Sequence, residues 1–483
     1  MLTACGSYSD DCWERLECPP DPCEGDPGTA PALDICGVFV SEQGDENNPG
    51  TKSAPVKTLQ HAIGLAAYGR GNDELPTRRV YACGGTFKET VTLPSGVDLW
   101  GGRLCDDGDL PYAGSYDGPN QWTTIAPPGR IPLRVIEGEN ATATSMIFGV
   151  RVVAADASAP DGKSSIAMIL SEGARATVRE SEILAGNGKD GAPGEDAPSF
   201  RANAGMVGNN GADACTADEA RGAPSVVTVC GDGIESTGGP GGDGGIETGG
   251  DGASGLPESV GNPPHPGRGG FGASSMACKA GENGADGADA ERAAGASGAG
   301  LLDVNGWVGV RGEDGKKGGV GQGGGGGGGG KGRDDMSVCP TGRPQGGAAG
   351  GSGGSGGCGG KGGHAGDYGG ASIAIVALQG SAITVEAGSK VLGAKGGDGG
   401  VGGTGQWGGL GSAGGNGGRP GPTIMSRGCI GGFGGKGGRG GDAGGGLGGH
   451  SLGIGSVGAS VAILEGCSSH TDIGITADSR SAR

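Results

Sequence analysis

The chain has 483 residues, of which 122 are glycine and only 4% are aromatic. The low aromatic content and the shortage of Val/Ile/Leu-rich stretches disfavour one large apolar core. The formal net charge of −19 disfavours nucleic acid as a partner, because the phosphates would be repelled. No stretch approaches the ~18 apolar residues that a membrane-spanning helix needs.

The 14 cysteines carry the signal for the compartment. They have no CxxC spacing and form no Cys/His clusters, so disulfides are favoured over zinc. Disulfides indicate an extracytoplasmic protein, expected on the outer membrane surface of a bacterium or secreted by it. The disulfide candidates are Cys12, Cys18, Cys23, Cys36, Cys83, Cys105, Cys215, Cys230, Cys278, Cys339, Cys358, Cys429 and Cys467.

The first residues suggest a lipid anchor. Leu2-Thr3-Ala4-Cys5 resembles a bacterial lipobox, in which Cys5 would be lipidated. The alternative is an ordinary cysteine, because four-residue motifs arise easily and the charged and apolar parts of a signal peptide are missing. The sequence leaves both open, and contact with a membrane is expected only through such an anchor.

The chain divides by composition. Residues 1–35 form a cysteine-bearing leader, and residues 36–185 hold short β-rich runs with one helix predicted over 56–67. Glycine-rich insertions are expected at 186–370, with a further coil near 299–310, and again at 395–450. A coil repeat is expected at 371–394, and a C-terminal coil and tail at 451–483.

An internal repeat links distant parts of the chain. Residues 165–169 (SIAMI) and 372–376 (SIAIV) are followed at equal spacing by Gly-x3-Thr-Val, and a looser copy begins at Ser451. Repeats that cannot bury a face alone predict a stacked solenoid.

The glycine-rich tracts have a period of three. From Gly351 the side chains are Ser352, Ser355, Cys358, Lys361 and His364, with glycine pairs between them. Three residues per turn is the polyproline-II geometry, whose amides must be satisfied by neighbouring segments. The sequence favours an ordered bundle of polyglycine-II helices over a flexible linker, with cysteines such as Cys358 and Cys429 joining tracts.

Little in the sequence indicates catalysis. The five histidines, His61, His265, His364, His450 and His470, are far apart and have no evident triad partners. Asp243 and Asp398 follow glycine in a weak likeness of calcium-binding repeats, and Asp106, Asp107 and Asp109 form an acidic turn. No catalytic residue, metal ligand or cofactor is therefore assigned, and calcium is the one ion with any signal.

Residues 37–103 resemble a known family. The segments Gly37–Ser41, Asn48–Thr51, Lys57–Gln60, 79–87 and Gly96–Gly102 are similar to the first coils of right-handed parallel β-helix proteins of the pectin-lyase-like superfamily, of the DUF1565 type. The match covers about residues 37–185, and the rest of the chain resembles glycine-rich, PGRS-like proteins of bacterial envelopes in composition and period only. The resemblance implies an all-β fold, a right-handed parallel β-helix solenoid with long polyglycine-II-like insertions and an N-terminal capping helix. Catalytic members cleave acidic polysaccharides, but their Gly-His-Gly segment and Asp cluster are not found.

The sequence favours a non-catalytic structural or adhesion protein of the cell surface, with polysaccharide or envelope proteins as partners and self-association left open. The alternative is a carbohydrate-active enzyme, a lyase or hydrolase acting on acidic polysaccharide. Ice binding is disfavoured, because the X positions of the tracts include Lys361, Phe433, Arg439 and Asp442.

Overall fold

The structure, a computed structural model, describes residues 21–71, 75–105, 121–129, 131–158, 163–231, 233–258, 265–332, 339–421, 425–464 and 468–469. Within these ranges, most strands belong to three parallel sheets, of seven, five and six strands.

The seven-stranded sheet consists, in spatial order, of β1 (Val38–Val40), β2 (Arg79–Cys83), β5 (Asp98–Arg103), β8 (Ser145–Phe148), β11 (Arg175–Arg179), β18 (Ala382–Val385) and β21 (Ser460–Ile463). The five-stranded sheet consists of β4 (Val91–Pro94), β7 (Leu133–Ile136), β10 (Ser165–Leu170), β17 (Ser372–Ala377) and β20 (Ser451–Ser456). The six-stranded sheet consists of β3 (Gly85–Phe87), β6 (Thr123–Ile125), β9 (Val150–Val153), β12 (Glu182–Leu184), β19 (Lys390–Leu392) and β22 (Ser468–Ser469).

The internal repeat aligns the strands of the five-stranded sheet. Ser165 of β10 pairs with Ser372 of β17, which pairs in turn with Ser451 of β20. Identical residues therefore stack in register although more than 200 residues separate β10 from β17 in sequence. The turns that follow these strands stack as well, with glycine at left-handed φ in each: +73° at Gly173 and Gly380 and +62° at Gly458.

Helix α1 (Leu59–Tyr68) packs on β1, β2 and β4. Thr58 caps its start by accepting the N–H of His61, and Gly69 ends it with φ of 92°. The buried face carries Leu59, Ala62, Ile63, Ala66 and Ala67, which join the apolar core that the three sheets share. The predicted helix is thus present, shifted by a few residues.

The predicted fold class, a single right-handed β-helix solenoid with glycine-rich insertions, is corrected by this arrangement. The strands divide among three parallel sheets, and an α-helix and two antiparallel hairpins accompany them. The hairpins pair β13 (Val226–Val229) with β14 (Glu235–Gly238), and β15 (Leu301–Asp303) with β16 (Gly306–Val308). The physical reason is that a sequence repeat reports which strands are neighbours but not how the sheets are arranged.

The second hairpin covers the outer face of the five-stranded sheet. Leu302 and Trp307 of this hairpin form an apolar cluster with Ile166, Ile373 and other residues of that sheet. Strands β10 and β17 are consequently buried along their whole length, on both faces. The segment near 299–310, expected as a further coil, is this antiparallel hairpin.

The glycine-rich segments are hydrogen-bonded to one another through their backbones. Along 346–370, the N–H groups of Gly351, Gly354 and Gly357 donate to the carbonyls of Cys429, Gly432 and Gly435, and the pattern continues to Gly369. The three-residue period of the sequence is therefore also the period of the hydrogen bonds.

The octaglycine run at 323–330 lies inside this assembly. Successive N–H groups of the run donate in turn to three segments, 250–256, 348–354 and 279–282. Its carbonyls accept N–H groups from three other segments, 239–242, 270–273 and 429–432. With six neighbours, no direction is open to a side chain. A Cβ built on any residue from Gly323 to Gly329 would lie within 2.2 Å of a neighbouring carbonyl oxygen.

Candidate binding surface

Four glycine-rich segments lie side by side in one outer layer, in the order 188–214, 395–419, 428–449 and 281–296. The first pair runs parallel, with Gly188, Gly191 and Gly194 donating to Lys395, Asp398 and Val401. The middle pair is antiparallel, and the last pair is parallel again. Below them, segment 346–370 bonds to the first three. Every third residue thus carries a side chain toward the surface, over 395–419 in one middle segment and over 430–442 in the other.

Asp and Asn side chains satisfy outward-facing amides of this layer. Asp190, Asp196, Asn210 and Asp213 of segment 188–214 accept the N–H groups of Asp398, Thr404, Asn416 and Arg419 at 2.6–2.9 Å. On the opposite flank, Asn283, Asp286 and Asp289 do the same for Phe433, Lys436 and Arg439. The sequence carries a signal for this role, a G-x-D/N triplet repeat, which composition and the period of three alone do not reveal.

The threefold register is interrupted at one place in this layer. Ala197 donates to Thr404 and Ala202 donates to Trp407, so five residues of segment 188–214 span the same distance as three residues of 395–419. The extra residues bulge outward and place Phe200 at the surface, 72% exposed. As in a β-bulge, an added residue pair re-aims side chains locally.

Gln406 fills the gap that the bulge leaves. It replaces a glycine of the GGX pattern and is buried. Its side-chain oxygen accepts the N–H of Lys361 at 3.0 Å, and its amide nitrogen donates to the carbonyl of Phe200 at 2.9 Å. One side chain therefore bridges the two backbone groups, the N–H of Lys361 and the carbonyl of Phe200, that the regular register would have joined by a direct bond.

Trp407 lies beside this bulge with 57% of its surface exposed. The guanidinium carbons of Arg201 and Arg439 lie 5.7 and 5.4 Å from the centre of its ring. Arg201 is anchored by a 3.0 Å bond to the carbonyl of Gly408, and Arg439 by a 2.6 Å ion pair with Asp442. We call Trp407, Arg201 and Arg439 the indole–arginine site.

Asp442 is itself held in its ionised form. The N–H of Gly405, followed by the guanidinium of Arg439, lowers the pKa of this carboxyl group below its usual value. Arg439 therefore faces a carboxylate at neutral pH.

Ten of the predicted cysteines form five disulfides within the described residues. The pairs are Cys23–Cys36, Cys83–Cys105, Cys215–Cys339, Cys230–Cys358 and Cys278–Cys429. The last three tie glycine-rich segments together. The disulfides indicate an oxidising, extracytoplasmic environment. The lipidation candidate Cys5 and the disulfide candidates Cys12, Cys18 and Cys467 lie outside the described residues.

The histidines are not brought together. His61 contacts Glu46, His364 lies 4.0 Å from Asp314, and His450 stacks edge-on against Trp307. His265 borders a separate cavity, and His470 is outside the described ranges. Within the described ranges, the four histidines therefore lie at four separate places.

The aspartates considered for calcium have other partners. Asp243 accepts the N–H of Gly222 at 2.6 Å, and Asp398 pairs with Lys395 at 3.0 Å. Asp106, Asp107 and Asp109 lie outside the described residues. Within the described ranges, His, Cys, Asp and Glu side chains form no group of three or more that could hold a metal ion.

A groove of about 660 Å³ runs between the β15–β16 hairpin and the stacked turns of the five-stranded sheet. Glu137 and Glu172 line it from successive turns, and Asp303 lines it from the hairpin, above Leu302 and Leu378. It is an acidic cleft with a partly apolar floor.

Comparisons with protein-family models, with curated proteins and with solved structures found no match to this chain. The part of the chain that the structure describes contains no helix long and apolar enough to cross a bilayer.

Proposed function

We propose that this chain is a non-catalytic structural or adhesion protein, displayed on a bacterial outer membrane surface or secreted, which holds a flat binding face toward an external polymer. The outer layer of four hydrogen-bonded segments carries this proposal. Such a layer fixes side chains at regular intervals without an apolar core beneath them, because neighbouring backbones satisfy one another. Recognition is then a property of an extended surface.

Disulfides support the same function. Cys278–Cys429 and Cys230–Cys358 join segments that are 151 and 128 residues apart in sequence. Cross-links over such distances restrict the unfolded chain and preserve the layer where no chaperone or repair is available. A surface scaffold needs this kind of persistence.

The experiment is retention on immobilised polymers combined with a turnover assay. The full chain is passed over a neutral glucan, a polyuronate and a sulfated polysaccharide, and release of reducing ends and of unsaturated sugars is followed. Retention on at least one polymer without product release supports the proposal. Product release, or passage through all columns, contradicts it.

The groove beside the β15–β16 hairpin favours a second candidate, a carbohydrate-active enzyme. Paired carboxylates in a cleft are what glycoside hydrolysis requires, and Glu137 and Glu172 lie on successive turns of this one. If the turnover assay detects product, E137Q and E172Q should each abolish its release under this second candidate, whereas F271A, a substitution at an exposed residue outside the groove, should leave the rate unchanged.

A further inference from the structure

We infer that the indole–arginine site binds an anionic polysaccharide, a chain of sugar rings bearing carboxylate or sulfate groups. This inference rests on the proposed function, because it names the polymer that the flat face takes. Three features of the site lead to it: the exposed ring, its two cations, and the regular spacing of the side chains around them.

The exposed indole is an apolar platform. Trp407 is more than half exposed, and Val401, Leu410 and Phe433 of the same two segments are exposed as well. An aromatic face in water stacks against flat, partly apolar rings, and sugars present such faces through their C–H groups. The bulge at 198–201 and the buried Gln406 are departures from the repeat that occur at this ring, so local structure is built around it.

The two guanidiniums supply charge recognition. Each arginine has five N–H donors, and the anchoring bonds to Gly408 and Asp442 use only part of this capacity. Guanidinium groups bind carboxylate and sulfate-like oxyanions through paired N–H groups. A ring stacked on Trp407 would place its acidic substituent beside one of these arginines.

The charge of the protein limits where a polyanion can bind. With a net charge of −19, most of the molecule repels a polyanion. Arg201, Arg439 and Lys436 place three cations in this part of the outer layer, and the nearby carboxylates of Asp196, Asp289 and Asp442 accept backbone N–H groups there. The residues that line the groove beside the β15–β16 hairpin include Glu137, Glu172 and Asp303 but no Lys or Arg, so a polyanion finds cationic partners at the indole–arginine site and not in that groove.

The surroundings favour a stiff polymer over a peptide. Next to Trp407 the chain reads Gly408-Gly409, and across the layer Arg439 is flanked by Gly437, Gly438, Gly440 and Gly441. Most of these glycines are buried between neighbouring backbones, so the surface beside the ring is formed by side chains that recur at every third residue. An extended chain of rings can lie across it.

The test is the dissociation constant of the full-length protein for matched polymer pairs, measured with EDTA present to prevent cation bridging. Alginate is compared with carboxyl-reduced alginate, and dextran sulfate with dextran, so that carboxylate and sulfate are distinguished. Polyglutamate and phosphatidylserine vesicles represent the other anionic partners. We expect at least tenfold tighter binding to one charged polysaccharide than to its neutral form, decreasing as salt is raised.

The variants distinguish the contribution of the Trp407 ring to binding from that of the two arginines. W407A should weaken binding to the charged polysaccharide about tenfold or more. R201Q and R439Q should each reduce the charged-to-neutral ratio. D442N should raise it, because Asn keeps an acceptor for the N–H of Gly405 but removes the competing carboxylate. F271A is the matched control, since Phe271 is 55% exposed on another segment, and it should bind like the parent.

Equal binding to charged and neutral forms, a ratio unaffected by R201Q and R439Q, or tighter binding to polyglutamate or vesicles would each overturn the inference. If a neutral polymer is retained and W407A releases it, the proposed function stands while the anionic ligand does not. If no polymer is retained, both are rejected.

Discussion

Cys358 is bonded to Cys230, the residue that directly follows strand β13, and so fixes the hairpin β13–β14 to the buried segment 346–370. Cys358 belongs to the same row of side chains as Ser352 and Ser355, and Ser355 contacts Thr228 of the same hairpin at 2.7 Å. The hairpin therefore packs on the Ser355 and Cys358 part of this row, whereas Lys361 and His364 further along the row are exposed.

The Cys230–Cys358 and Cys215–Cys339 bridges should be thermodynamically coupled. Both join the region around 215–230 to the region around 339–358, so each shortens the loop that the other closes in the unfolded chain. Replacing either pair by serine should lower the free energy of unfolding by about 2–4 kcal/mol, and replacing both should cost more than the sum. Denaturant titration of the three variants measures this double-mutant cycle. Additive losses would show that the two bridges act on independent parts of the chain.

Glycine is required at position 326 for steric reasons. A Cβ there would lie 1.8 Å from the carbonyl oxygen of Pro240, so neighbouring backbones would have to separate. G326A should abolish folding of the glycine-rich region or lower its melting temperature sharply, and amide exchange across 323–330 should accelerate.

The matched control is G64A. Gly64 lies within helix α1, and a Cβ there meets no atom within 4 Å. Alanine should stabilise the helix by about 0.5–1 kcal/mol. The same chemical change thus has opposite signs at the two positions. If amides at 323–330 of the parent exchange as fast as in a denatured chain, the six-neighbour packing is wrong.

The period of three could be predicted from sequence because it depends on one rule: a side chain fits only where a segment lacks a neighbour. Ser352 and Cys358 mark one face of a segment, and the octaglycine run marks a segment with no free face. Which segments become neighbours could not be predicted, because glycine pairs carry no register information and the contacts are between identical backbone groups.

The indole–arginine site shows the same limit. Arg201 and Trp407 are 206 residues apart, and a bulge of two residues decides that they meet. The sequence does contain a local signal, the triplet Gly405-Gln406-Trp407 within a run of GGX triplets. A glutamine in a glycine position indicates that a backbone neighbour is missing there. The arrangement of the sheets could not be predicted either, because the repeat at β10 and β17 indicates only that these two strands pair.

Gln406 should position the residues of the binding site while contributing little to the stability of the fold. Q406G restores the regular triplet but leaves the N–H of Lys361 and the carbonyl of Phe200 without this partner. We expect the bulge to loosen and polymer binding to weaken three- to tenfold while the melting temperature changes by only a few degrees. Q406E is the companion variant, because it keeps the acceptor for Lys361 and loses the donor to Phe200. A parallel loss of binding and global stability would indicate a purely structural role.

The outer layer should lose stability in acid, and its stability should not change with pH near neutrality. The N–H and hydroxyl of Thr404 lower the pKa of Asp196, and the N–H of Gly405 with Arg439 lowers that of Asp442. Because both folded pKa values lie below the unfolded value of about 3.9, their contribution to stability is complete above that value. It is lost as the pH falls through the lower, folded pKa values. Denaturant midpoints measured between pH 6 and pH 2.5 should therefore fall less steeply for the D196N/D442N variant, whose amides still accept the same N–H groups. Parallel curves for variant and parent would show that these two carboxylates do not contribute to the acid sensitivity of the layer.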